Sequence, residues 1–178
     1  MKKRIIICLL FITSTFLFSK NTKVNKNILQ ISKNKLIESY DVFTENNKVY
    51  KIELRGENYN TIIFEKNEKN ESIKIRGKVG RGDYRYSVRR SGSFKFKFND
   101  DDKIYEFRGY SVYLTDVYAN INNKKEKEFL EKLAKKNYVY VKVILWEDYA
   151  ETFKVNLIGS KKMLEMGKFI ELDDSNKQ

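Results

Sequence analysis

The residues best suited to do chemistry lie in "KIRGKVGRGDYRYSVRRSGSFKFK", residues 74–97, where nine basic side chains stand against the single Asp83. Lys74, Arg76, Lys78, Arg85, Arg89, Lys95 and Lys97 fall mostly on the polar alternation of consecutive predicted strands. If neighbouring strands pair, these side chains collect on one sheet face or at one end of it. Such a field attracts phosphates, acidic polymers or an acidic protein. The expected partner is therefore an anionic envelope component or an acidic protein. The competing reading is a lysine-rich protein displaying its solvent face. The charge is steeply graded: residues 20–100 carry 19 basic and 10 acidic side chains, whereas residues 101–178 carry 14 of each.

The catalytic inventory is thin. The chain has no histidine, which removes the usual general base and the commonest metal ligand. Asp100-Asp101-Asp102 offers oxygens that suit Ca²⁺, but it lacks the alternating ligands and distant Glu of an EF-hand loop and reads as a solvated hairpin turn. "GKVGRG" lacks the Lys-Ser/Thr ending of a phosphate loop and reads as a bend. No spacing selects a pair of carboxylates for glycoside hydrolysis, so an Asp/Glu-dependent hydrolase of cell-wall glycan stands as the alternative to a non-enzymatic binding or accessory protein. No cofactor is expected.

The N-terminus, "MKKRIIICLLFITSTFLFSK", sets Lys2, Lys3 and Arg4 before an apolar run from Ile5 to Phe18. The run is shorter than the ~20 residues of a spanning helix and fits a signal peptide cleaved after Ser19. The expectation is export to the periplasm or cell envelope, with no transmembrane segment in the mature chain and no nucleic-acid partner. Retention of the segment as an uncleaved anchor is the alternative. Cys8 is the only cysteine, so no intrachain disulfide can form and the core must hold the fold together.

These candidate residues need elements to position them. Residues 20–37 are polar and Asn/Lys-rich and read as a linker or short helix. Residues 40–54 and 62–76 read as two hairpins, with Ile73 and Ile75 inward and Lys74 and Arg76 outward. Another strand follows a Gly-rich bend at about 84–88. In "SFKFKFNDDDKIYEFRGY", Phe94, Phe96 and Phe98 face one way and Lys95 and Lys97 the other, with a turn at 99–102. The period then changes. Phe129, Leu130, Leu133 and Ala134 form one stripe, which predicts a helix at about 124–136 whose lysines and glutamates make a solvated face. Val139, Val141, Val143 and Leu145 mark a core strand, "AETFKVNLIG" pairs back on it, and "SKKMLEM" makes a short C-terminal helix. The predicted class is mainly β, a small β-sandwich or barrel-like fold of antiparallel hairpins. It forms one domain over 38–172 with a frayed tail at 173–178.

Residues 94–166 resemble the VasI-like proteins associated with type VI secretion and, more distantly, the invasion-associated locus B proteins. The features that carry the resemblance are the aromatic strand with its Asp-rich turn (Phe96, Phe98, Asn99 to Asp101), then Leu114-Thr115-Asp116, then the helix with Phe129, Leu130 and Leu133. Two strands and a Leu-x-Gly step into a short helix follow, with Leu157, Gly159 and Leu164. Tyr110 stands where the family has Trp, and the Cys often found in its earlier strand–turn–strand is missing. The resemblance implies a small periplasmic β-sandwich with a helix between strands and no catalytic residues.

Overall fold

The computed structural model describes residues 27–41, 47–69, 72–80, 90–112, 115–122, 126–146 and 149–170. Ten strands and two helices follow in order. They are β1 (Asn27–Ile31), β2 (Asn34–Asp41), β3 (Asn47–Arg55), β4 (Thr61–Asn67), β5 (Ser72–Lys78), β6 (Arg90–Phe98), β7 (Ile104–Val112), β8 (Asp116–Asn122), α1 (Lys127–Lys135), β9 (Tyr138–Trp146), β10 (Tyr149–Asn156) and α2 (Ser160–Met166). The molecule is mainly β, with one helix between strands and a short helix near the C-terminal end, as the pattern predicts. Among the described residues no helix is long and apolar enough to cross a membrane. The proposed signal peptide, the strand expected at 84–88 and the tail at 173–178 lie outside the described residues.

All strands pair antiparallel in one sheet, in the order β1-β2-β3-β4-β5-β8-β7-β6-β9-β10. The sheet curls until the end of β3 meets β10, where Gly56 bridges Val155. A Cβ on Gly56 would lie 2.5 Å from the Phe153 ring, so only glycine lets the two backbones approach. Asn34, at the start of β2, is buried beside this seam. Its amide nitrogen donates to the carbonyls of Asn156 (2.9 Å) and Ile158 (3.2 Å), and its oxygen accepts from the Arg55 N–H (3.0 Å).

Segment 20–37 departs from its expected role as linker or helix. Its described part forms β1 and the first residues of β2, with Leu36 buried and Leu29 and Ile31 packed against the core. The Asn/Lys-rich composition masks a short strand alternation. Ser32, at φ 56°, makes the tight turn between the two strands.

The core is an aromatic cluster under α1. Phe129 is fully buried. Its ring centroid lies 4.8 Å from that of Phe107, 5.0 Å from Phe96 and 5.4 Å from Tyr105. The predicted stripe of Phe129, Leu130, Leu133 and Ala134 is the buried face. The Asp-rich turn and the lysines of α1 are not merely solvated. Lys132 pairs with Asp101, Lys136 with Asp100, and Lys103 with Glu128 at 2.5 Å. The Tyr105 hydroxyl donates to Glu128 at 2.6 Å. The β6–β7 turn therefore clamps the helix. Beyond it, the buried Ser160 hydroxyl donates to the Leu133 carbonyl at 2.6 Å, where the last turn of α1 leaves an unsatisfied acceptor.

Two outcomes follow. Phe129→Ala should destabilise the protein by ~3–5 kcal/mol in chemical denaturation, since it empties the centre of the core. The clamp should also be acid-labile. Hydrogen bonds from Lys103 and then Tyr105 push the Glu128 carboxyl down to about 2, and Lys136 and Lys132 lower Asp100 and Asp101. Their folded pKa values lie below the unfolded ones, so their stabilisation is fully present above about pH 4.5 and is lost as the pH falls toward 2. The urea midpoint should drop over that window, and Glu128→Gln should flatten the drop.

Candidate functional site

The order of strands decides where the basic side chains go. β5, with Lys74, Arg76 and Lys78, lies beside β4 and β8, not beside β6. β6, with Lys95 and Lys97, lies between β7 and β9. Two strands separate the groups, about 14 Å from β5 to β6 at the usual spacing. The assumption that consecutive strands pair fails here, and the single patch divides. Arg85 and Arg89 lie outside the described residues. Lys74 is 3.8 Å from Glu65 and Lys95 is 3.5 Å from Glu106, both on the outer face.

Arg76 is different. Its Nε donates to Asp116 Oδ1 at 2.7 Å, and Asp116 is buried. The Thr115 hydroxyl donates to the other carboxylate oxygen at 2.8 Å. The guanidinium lies 5.4 Å from the Tyr118 ring, which stacks on Tyr110 with centroids 5.4 Å apart. Burial pushes the Tyr118 phenol up, against the opposing influence of Arg76. Arg76 is thus held rigidly on two sides. It forms one wall of an open groove of about 1070 Å³, whose other cations among the described residues are Lys33, Arg55 and Lys78.

The groove is built by the β3–β4 hairpin and the end of β5. On the outer face Arg55 stands opposite Thr61, and Thr61 opposite Lys78. Two strand spacings place the cations about 10 Å apart, with a hydroxyl between them. Neither Arg55 nor Lys78 forms an ion pair among the described residues. The loop 56–60 makes the lip. Asn58 (φ 53°) and Tyr59 (φ 65°) are both left-handed, and Tyr59 is 74% exposed. A tyrosine in that region is strained, a feature concentrated at functional sites. Asn60 anchors the lip from below: it is buried, and its side-chain oxygen accepts from the Gly80 N–H at 2.7 Å. Glu53 and Glu57 also line the groove, and Glu53 is engaged by Lys51 at 3.1 Å.

Two of the predicted site residues, Arg76 and Lys78, therefore share a site with Arg55 and Lys33. These last two lie outside the basic run, and only pairing of β3 and β4 with β5 brings Arg55 in. The signal for Arg55 was the polar alternation Lys51, Glu53, Arg55, which a search for charge density passes over, and Lys33 stands in the β1–β2 turn with no pattern to mark it. Comparison with protein-family models, curated proteins and solved structures finds no match to this chain. The site is read from its own geometry.

Arg76→Ala should destabilise the fold by ~1.5–3 kcal/mol, because it strips a charge-assisted bond from a buried carboxylate. Lys74→Ala, which loses only an exposed pair, should cost less than ~1 kcal/mol. Equal effects of the two changes in chemical denaturation would refute the special standing of Arg76.

Proposed function

We propose that this protein is a non-enzymatic, exported binding or accessory protein of the cell envelope that holds an acidic glycan in the groove between the β3–β4 lip and β5. The observation that carries the reading is the rung Arg55–Thr61–Lys78, two cations without ion-pair partners among the described residues, flanking a hydroxyl on the groove floor. A carboxylate or phosphate seated over Thr61 meets both charges and takes over the Thr61 hydroxyl, which otherwise donates to the Tyr59 carbonyl at a long 3.5 Å. Asn58 and Tyr59 on the lip supply the polar and aromatic contacts that sugar rings use. Export rests on the charged and apolar N-terminal pattern. An accessory role beside a secretion machine rests on the resemblance of residues 94–166 to the VasI-like proteins.

Glu53 and Glu57 in the same groove favour a second reading, a carboxylate-dependent hydrolase of cell-wall glycan. The engagement of Glu53 by Lys51 favours binding over catalysis.

Titration calorimetry with acidic envelope-glycan fragments separates the readings. Arg55→Gln with Lys78→Gln should weaken binding by roughly 10-fold, since each exposed charge contributes about 0–1 kcal/mol. The fold should be unaffected, because both side chains point away from the core. Unchanged affinity would refute the groove as the site. Glycan cleavage that Glu57→Gln abolishes would establish the hydrolase instead.

A further inference from the structure

A second basic surface lies away from the groove, on the outer face of β7, β6, β9 and β10. Its chemistry differs from that of the groove. The face is written in rungs. Glu106, Lys95, Lys142 and Thr152 stand side by side across the four strands. On the next outward rung stand Ile104, Lys97, Tyr140 and Lys154. The inward alternates Phe94, Phe96, Phe98, Val139, Val141, Val143, Phe153 and Val155 are buried, which fixes the direction of the others.

Lys95 and Lys142 are directly opposed across the β6–β9 ladder. Like charges in that position destabilise a sheet unless something neutralises them. The one carboxylate on these two rungs, Glu106, is shared between Lys95 at 3.5 Å and Arg108 at 3.6 Å. Lys97 and Lys142 form no ion pair among the described residues. Lys154 lies 3.7 Å from the centroid of the Tyr138 ring, and Tyr138 packs edge-on against Tyr140. Ile104 is 55% exposed and Tyr140 43%. Lysines with long apolar stems, tyrosines with an apolar body and a polar tip, and an exposed isoleucine are the side chains that settle at a membrane–water boundary. The face is the outward side of four adjacent strands of the curled sheet, so it fits an extended anionic plane better than a discrete ligand.

The geometry points to a membrane-docking face: Lys95, Lys97, Lys142 and Lys154 contact the phosphates of an anionic phospholipid surface, with Tyr138, Tyr140 and Ile104 seated among the headgroups. The surface supplies a counter-charge to Lys142, which has none among the described residues, and relieves Lys95, which shares Glu106 with Arg108. This inference is independent of the groove and its glycan. A protein using both would hold its partner at the bilayer surface.

The test is co-sedimentation of the full chain with phosphatidylcholine vesicles, with and without phosphatidylglycerol. Apolar insertion of the N-terminal segment contributes to both vesicle types, so the difference between them reports the cations, and the variants below assign it to the face. Wild-type protein should prefer the anionic vesicles, and the preference should vanish as salt rises from ~0.1 M to ~1 M and the Debye length falls from ~10 to ~3 Å. Lys95→Gln, Lys97→Gln, Lys142→Gln and Lys154→Gln together should lower the anionic partition coefficient by at least about 100-fold, since about fivefold per lysine in full contact with the surface gives about 600-fold for four. A control of equal charge, Lys127→Gln, Lys135→Gln, Lys161→Gln and Lys162→Gln, should lower it by less than about fivefold. The inference is overturned if the two variants fall equally, if anionic preference survives high salt, or if soluble polyphosphate binds the face while anionic vesicles do not. Lys97→Gln with Lys142→Gln, which breaks no ion pair among the described residues, makes the same comparison at a loss of about 10-fold if the fourfold variant does not fold.

Discussion

The architecture depends on a seam that is almost too short to exist. Along β3 one edge is occupied by β4 and the other by β2, which stays paired as far as Lys35 and Glu53. β10 can reach β3 only past that point, and it does so through the single bridge from Gly56 to Val155. One bridge leaves backbone groups without ladder partners where the strands diverge, and buried polar groups without partners are costly. Asn34 resolves this. One side chain accepts from β3 and donates twice to the segment that leaves β10. Replacing it with an apolar residue would leave three backbone groups unsatisfied at once. Glycine at position 56 is the steric half of the same requirement.

Closing the sheet creates an interior that strands alone do not fill, and α1 fills it. Phe129 enters a cluster of rings contributed by β4, β6 and β7, with most interplanar angles tilted or edge-on. This is the arrangement that the ring quadrupole favours. The ion pairs around the helix work at a different level. They are largely exposed and individually weak, but they tie the β6–β7 turn to one helix face and fix the seating of α1. The turn that reads as solvated in sequence is engaged by the ammonium groups of Lys132 and Lys136 in three dimensions.

The outward charges are what remains once the seam and the core are satisfied. β5 and β6 follow one another among the described strands but are separated by β8 and β7 in the sheet. The cations of residues 74–97 therefore serve two surfaces with different surroundings. On the β5 side they border a groove with a strained lip and a buried carboxylate behind Arg76. On the β6 side they join Lys142 and Lys154 on an open face with tyrosines. The first surroundings suit a discrete acidic ligand and the second an extended anionic plane.

Local alternation was enough to determine which side chains are inside. Phe94, Phe96 and Phe98, Ile73 and Ile75, the Val139 to Leu145 series and the Phe129 stripe all read correctly, because period and burial are properties of one segment at a time. The hairpins β2–β3, β4–β5, β6–β7 and β9–β10 were legible for the same reason, since each pairs strands that are neighbours in sequence. β1 was not legible, because a five-residue strand in Asn/Lys-rich sequence gives too little period to read. Nor were the pairings β5–β8 and β6–β9, because a long connection carries no local mark of where it ends. Those two pairings set which cations share a face, so the sequence showed that the basic residues point outward and only the tertiary structure decided which of them meet. Arg76 shows the limit most plainly. By alternation it is one outward cation among several, but the β5–β8 pairing places it against Asp116, and burial of that carboxylate makes it part of the scaffold.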